Sequence, residues 1–148
     1  MDHYATEHTI PTEGIERDAA LRRVESALSD ALGKEYAEIW IDHNPYPALC
    51  GLIHKERGWL MLLRYDGDAG YSSRGQDEAA DSNEEISFIL GNGQRDSYPS
   101  AWTLLTPDVL RALRVFATTG QVPETIHWHN DAEDGSEGPN DRRYYQPE

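Results

Sequence analysis

The chain of 148 residues is long enough for one domain with its own core, without a metal or a disulfide to support it. Its 27 acids outnumber 13 lysines and arginines, and the formal charge of −14 disfavours direct binding to nucleic acid or to an anionic membrane and favours a basic partner, although solubility alone is a simpler explanation of such a charge. The single cysteine excludes an internal disulfide and suits the cytoplasm, and no run approaches the ~20 apolar residues of a membrane span.

The first third of the chain is predicted to contain a flexible segment and then a helix. Residues 1–14 show neither a periodic hydrophobic pattern nor the pattern of a secretory signal, so we expect them to be flexible and the protein to be cytoplasmic. Over residues 15–33, apolar side chains recur at spacings of three and four, which is typical of an amphipathic helix: Leu21, Val24, Leu28 and Leu32. Gly33 is a suitable end for this helix.

Strands are predicted after the helix. Residues 35–43 favour a strand, the proline-containing residues 44–47 interrupt it, and a hairpin follows that turns at residues 55–58. The second strand of this hairpin, residues 59–65, is apolar almost throughout. We therefore expect it at the centre of a sheet, with both of its faces covered. Further strands are predicted near Tyr71 and at residues 85–91, 101–105 and 124–129.

A second helix is predicted to begin at Thr106, which can cap it, with Pro107 in the first turn and Gly120 at its end. Residues 131–148 have the composition of an acidic, flexible tail. The order of helices and strands predicts an α+β fold, a mainly antiparallel sheet with helices packed on one face, in a single domain over residues 15–130.

The glycine-containing stretch GNGQRDSYP, residues 91–99, raises the question of a phosphate site. Phosphate cradles place their glycines directly before a helix, usually with a lysine, whereas residues 101–105 separate this stretch from the second helix. Asn92 and Gly93 both tolerate a positive φ. The stretch therefore predicts a turn, and we predict no cofactor site.

His127 and His129 lie two residues apart, so one face of a strand would carry both imidazoles, a geometry that can hold zinc. A small metal-dependent enzyme is accordingly one alternative. No second cluster has metal-ligand spacing, so we favour solvent-exposed histidines and predict neither a metal site nor a catalytic residue. Trp128, between them, would point into the core.

Residues 66–85 are rich in acids, with tyrosines near their start, a composition suited to covering a basic groove. A solvated acidic face is the simpler interpretation. Our hypothesis is that this stretch contacts a partner, with Tyr65 as a further anchor and the following contact residues: Asp66, Asp68, Tyr71, Asp77, Glu78, Asp81, Glu84 and Glu85.

The second half of the chain contains a series of short motifs around turns and the ends of the predicted elements. A strand ends in Gly-Asn, a polar stretch contains a proline, a helix ends near Phe and Thr-Gly, and a strand closes on Trp. The matching residues are Gly91, Asn92, Pro99, Phe116, Thr119, Gly120, Pro123 and Trp128. The likeness covers roughly residues 35–130 and is to the Imm-type immunity proteins of polymorphic toxin systems, a family that includes inhibitors of nucleic-acid deaminase toxins. The matching residues resemble determinants of a fold, and we assign Trp59, Phe116 and Trp128 to the core.

The resemblance implies an immunity protein, or antitoxin, that is not an enzyme. Such a protein would bind and neutralise a cognate toxin domain, a nucleic-acid-targeting deaminase or nuclease, by covering its basic substrate groove or its active site. An adaptor domain without a toxin partner is the other alternative.

Overall fold

The computed structural model describes residues 6–11, 17–43, 45–75 and 84–135. Its elements, in chain order, are β1 (Thr6–Pro11), α1 (Arg17–Leu32), β2 (Tyr36–Asp42), β3 (Ala48–His54), β4 (Arg57–Leu63), β5 (Tyr71–Arg74), β6 (Glu85–Ile89), β7 (Arg95–Pro99), a 3₁₀ turn (Ser100–Trp102), β8 (Leu104–Leu105), α2 (Thr106–Thr119) and β9 (His127–Asn130). Across these ranges, no helix is both long and apolar enough to span a bilayer.

Within the described residues, seven strands form the main sheet, in the order β1-β2-β3-β4-β5-β9, with β8 paired to the start of β4. Every strand pair in it is antiparallel except β1 with β2. Together with the two helices, this confirms the predicted α+β class.

β1 is an element that the sequence pattern did not predict. Residues 6–11 pair in parallel with β2, where we expected part of a flexible segment over residues 1–14. Ile10 lies opposite Ile41 and is buried in the main core. This pairing joins segments about 30 residues apart, so a local hydrophobic pattern carries little trace of it. Pro11 is compatible with β1 because β1 is an edge strand.

Both helices pack on one face of the main sheet, as predicted, and enclose the larger hydrophobic core. Phe116 and Leu113 of α2 are fully buried there. α2 approaches the sheet closely because β4 carries a glycine at the crossing point. A Cβ on Gly58 would lie 2.7 Å from Val109 Cγ2 and 2.8 Å from the Leu52 carbonyl oxygen. An ion pair between Arg114 of α2 and Glu25 of α1 joins the two helices.

The hairpin of β6 and β7 covers the other face of the sheet and forms a second core. Cys50, Leu52, Trp59 and Phe88 are buried in this core. The prediction for the apolar second hairpin strand is therefore confirmed, since β4 lies at the centre of the sheet between helices on one side and the β6–β7 hairpin on the other. The hairpin is also tied to β2 through Glu38.

Glu38 is a buried acid whose two carboxylate oxygens accept hydrogen bonds from different parts of the fold. Oε1 accepts from the backbone N–H of Gly91 at 2.8 Å, and Oε2 accepts from the Trp40 indole N–H at 2.6 Å. The end of β6 is thus attached to β2.

The stretch at residues 91–99 forms a turn followed by a strand. Leu90 and Gln94 close the turn through the Leu90 N–H and the Gln94 carbonyl at 2.8 Å, and Gly93 has a φ of 89°. The predicted turn is confirmed. The partner of β6 is β7, directly after the turn, and the predicted strand at residues 101–105 is instead a 3₁₀ turn followed by the two residues of β8.

The start of α2 differs in detail from the prediction, whereas its end agrees. Leu105 is the N-cap residue, and the Thr106 hydroxyl donates to the Lys55 carbonyl oxygen at 2.8 Å instead of capping the helix. Thr106 therefore ties α2 to the β3–β4 turn. Gly120, at a φ of 74°, ends the helix.

Candidate functional site

The loop between β4 and β5 is held by a buried ion pair. Arg64 donates from Nε and Nη2 to the two carboxylate oxygens of Asp68, each over 2.8 Å, and the two side chains are 1% and 0% exposed. The backbone N–H groups of Arg64 and Gly70 donate to the same carboxylate at 2.9 and 3.0 Å. The loop therefore presents Tyr65 and Asp66 to solvent on a fixed frame.

Both members of this pair are held in their charged forms. Burial alone would raise the pKa of Asp68, but hydrogen bonds from Arg64 and Gly70 outweigh burial and keep that pKa below its ordinary value. The pKa of Arg64 is raised, first of all by its hydrogen bond to Asp68. Asp134 is a second acidic partner of Arg64, at 2.8 Å from Nη1.

The burial of this region corrects two of the predicted contact residues. Both carboxylate oxygens of Asp68 are bonded to Arg64. Tyr71 is 1% exposed within the main core, and its ring centre lies 4.8 Å from the Arg64 guanidinium carbon. Neither side chain is accessible to a partner. The sequence shows acids and tyrosines in this stretch but does not show which of them Arg64 draws inside.

The other predicted contact residues fall into two groups. Asp66, Glu84 and Glu85 are exposed, as a contact role requires. Asp77, Glu78 and Asp81 lie outside the described residues. Glu84 and Glu85 sit beside the 3₁₀ turn, since the Ser100 N–H donates to the Glu84 carbonyl oxygen at 2.8 Å and Glu85 pairs with Pro99.

A further acidic segment lies beside the β4–β5 loop, at residues that we assigned to the tail. Residues 131–135 follow β9, and the Asp131 N–H donates to the Gly70 carbonyl oxygen at 2.9 Å. Asp131 and Glu133 are exposed there. The acidic run in the sequence was visible, but its contact with the loop depends on the pairing of β9 with β5. The remaining residues of the predicted tail, 136–148, lie outside the described residues.

These exposed residues flank both ends of β5. The loop and residues 131–133 lie at its start, and Glu84 and Glu85 lie near its end, where the Gly75 N–H bonds to the Ala101 carbonyl oxygen. We call this surface the acidic rim. It consists of Tyr65, Asp66, Glu84, Glu85, Asp131 and Glu133.

Beside the acidic rim, Trp102, Tyr98 and Trp59 form a group of neighbouring rings that no sequence pattern indicated. We call this group the aromatic platform. The Arg74 guanidinium carbon lies 3.8 Å from the ring centre of Trp102, and Trp102 remains 36% exposed. Behind Trp102, Tyr98 stacks on Trp59 with ring centres 4.1 Å apart. Burial and the neighbouring Asp96 raise the pKa of Tyr98, so its hydroxyl stays protonated and donates to that carboxylate. The platform is therefore rigid and partly exposed.

A cleft of about 420 Å³ opens next to the platform, between β8, the start of β4 and the first turns of α2. Its lining combines charged side chains with apolar ones, among them Arg57, Asp108, Arg111, Leu104, Leu105 and Ile126. Leu105 is 52% exposed.

His127 and His129 are both exposed, in agreement with the favoured interpretation. They pair with Arg74 and Ser72 across β5, which places both imidazoles on the face of the sheet that carries the β6–β7 hairpin. Among the described residues, no group of three or more His, Cys, Asp or Glu side chains is placed so that it could hold a metal ion. Trp128, on the opposite face, packs against the main core.

Comparison with protein families decides the identity. The family of immunity protein Imm1 matches residues 5–130, which include every element from β1 to β9. The chain belongs to the Imm1 immunity protein family. A comparison with curated proteins gave no match.

As an immunity protein, the chain is an antitoxin that binds a cognate toxin. The residues that carried the sequence resemblance lie in turns, caps and cores. Phe116 is buried in the main core, Gly91 bonds to Glu38, and Gly120 caps α2. The acidic rim, the aromatic platform and the cleft are formed by other residues of this immunity protein.

Proposed function

We propose that the immunity protein neutralises a nucleic-acid-targeting toxin, a deaminase or a nuclease, by covering its basic substrate groove or its active site. The observation that carries this proposal is the acidic rim, an exposed set of carboxylates on a chain whose formal charge is −14. A toxin that acts on nucleic acid must present cations to phosphate groups, and an anionic surface can compete for the same cations.

The frame of the acidic rim supports rapid and ordered capture. Tyr65 and Asp66 project from a loop that the Arg64–Asp68 pair fixes before any partner arrives, so little conformational entropy is lost on binding. Opposite charges on the two proteins accelerate encounter. We place this action in the cytoplasm, where such a toxin meets its substrate.

The aromatic platform would slow the dissociation of the bound toxin. Trp, Tyr and Arg are the residue types that most often dominate binding energy when they lie at the centre of an interface. Trp102 is exposed, braced by Arg74 and backed by the Tyr98–Trp59 stack, so its surface is already arranged for contact.

Co-expression tests the proposal directly. The toxin to use is the product of the gene adjacent to that of the immunity protein, because toxin and immunity genes are expected to be neighbours. We expect the toxin to stop growth and the immunity protein to restore it. With purified proteins, one equivalent of the immunity protein should abolish deamination or cleavage of DNA or RNA by the toxin. Growth arrest that persists during co-expression contradicts neutralisation. If the toxin stops growth by a reaction that does not modify DNA or RNA, the proposed nucleic-acid target is wrong.

Charge neutralisation tests the acidic rim. The variant Asp66→Asn/Glu84→Gln/Glu85→Gln removes three exposed carboxylates, and we expect affinity for the toxin to fall by more than about threefold, or ~0.7 kcal/mol. The matched control Asp18→Asn/Asp30→Asn/Glu35→Gln removes the same charge from exposed residues in and after α1. Equal effects of the two variants would assign the binding to net charge and reject the acidic rim.

A further inference from the structure

The cleft between β8, β4 and α2 holds two cationic side chains that have no partner within the described part of the chain. Arg64 pairs with Asp68, Arg114 pairs with Glu25, and Arg74 packs on Trp102. By contrast, neither Arg57 nor Arg111 makes an ion pair or a hydrogen bond with a described residue through its side chain. Exposed cations such as Arg22 and Arg95 also lack a described partner, but Arg57 and Arg111 are set apart because they line one and the same cleft.

The chemistry of the cleft matches an acidic group carried on an apolar support. A guanidinium presents a planar fork of donors that fits the two oxygens of a carboxylate. Leu104, Leu105 and Ile126 add apolar surface to the lining, and Leu105 is largely exposed. Asp108 also lines the cleft and leaves a net positive charge when set against Arg57 and Arg111.

The overall charge of the chain selects the kind of occupant. A free small anion is repelled by a formal charge of −14, and a second copy of this chain carries the same charge. A basic protein with an acidic side chain on its surface is attracted as a whole and brings that acid with it. The cognate toxin of the proposed function has this character.

We propose that the cleft receives an acidic side chain of the cognate toxin, presented on an apolar loop, and that this contact fixes the orientation of the complex. The inference rests on the proposed function. Attraction between an acidic and a basic surface speeds encounter but defines no single register. A contact of the opposite sign is satisfied in only one orientation, and toxins that lack the acid leave two arginines unpaired. The cleft thus contributes specificity, and the acidic rim contributes capture.

Charge reversal in the cleft separates this contact from general electrostatics. The variant Arg57→Glu/Arg111→Glu makes the chain more acidic, so general attraction to a basic toxin rises. We nevertheless expect affinity to fall by about 30-fold or more, mainly through faster dissociation, because a close charged pair is replaced by a repulsive one. The control Arg22→Glu/Arg23→Glu changes the same charge at exposed positions of α1 and should leave affinity unchanged or raise it.

The measurements are calorimetric and kinetic titrations of the purified toxin, with thermal unfolding of each variant as a check on folding. If Arg57→Glu/Arg111→Glu fails to fold, the milder Arg57→Gln/Arg111→Gln, which introduces no new charge, should still weaken binding by roughly tenfold. Unchanged or tighter binding of the folded cleft variant would overturn the inference. Rescue of growth by the wild-type protein in the co-expression test shows that the proposed function holds even if the cleft contact does not. Failure of the wild-type protein to bind the toxin rejects the proposed function itself.

Discussion

Replacement of Asp68 by Asn should destabilise the fold by about 3 kcal/mol, although the side chain is not in the hydrophobic core. The carboxylate accepts four hydrogen bonds, three from Arg64 and one from Gly70, over 2.8–3.0 Å. Asn has the same size but turns an N–H₂ group toward donors and removes the charge that balances Arg64. Breaking a buried ion pair costs roughly 3–5 kcal/mol. The lower end applies because Asp134 remains 2.8 Å from Nη1 of Arg64 and is partly exposed.

Urea denaturation at pH 7 measures this loss, which corresponds to a fall in Tm on the order of 10 °C for a domain of this size. Because the folded-state pKa of Asp68 is lowered, its contribution is fully present above the unfolded pKa of ~3.9 and is lost as the pH falls through the folded value. The difference between wild type and variant should therefore shrink in acid. Asp66→Asn, two residues away and exposed, should change stability by less than ~0.5 kcal/mol. A loss below ~1 kcal/mol for Asp68→Asn, or a difference between wild type and variant that grows as the pH falls, would refute the ion-pair account.

Three further substitutions test the packing of the fold by urea denaturation. Gly58→Ala places a methyl group against Val109 and should cost about 1–3 kcal/mol, whereas Gly33→Ala, whose nearest contact would be at 3.5 Å, should cost much less; equal costs would contradict the close approach of α2. Phe116→Ala should cost about 3–5 kcal/mol because the side chain is fully buried, and a cost near zero would remove it from the core. Glu38→Gln should cost about 1–2 kcal/mol and speed amide exchange in the β6–β7 hairpin before the rest of the sheet; uniform exchange would show that Glu38 is not the attachment.

Elements with a strong local signal were predictable from the sequence. α2 has a proline in its first turn and a glycine at its end, and the continuous apolar run of β4 indicated a strand covered on both faces. β1 was not predictable, because its stability comes from parallel pairing with β2, which follows α1 in the chain. For the same reason, β7 follows from its pairing with β6 and not from its own polar sequence.

The candidate site was predictable only as a composition. The acids of residues 66–85 were evident, but the division between exposed Asp66 and buried Asp68 depends on the position of the Arg64 side chain. Trp102 reads as a strand residue in an apolar run, and its exposure results from the 3₁₀ turn that replaces that strand. Surface sites built by residues distant in sequence leave no local periodicity to detect.

The main sheet separates two apolar clusters, one beneath the helices and one beneath the β6–β7 hairpin. Mutations that reshape the hairpin layer can therefore accumulate without disturbing the layer that holds the helices. The helix layer of an immunity protein can thus be retained while the sequence of the hairpin layer changes. Such an architecture lets the hairpin layer diversify with little loss of stability in the rest of the fold.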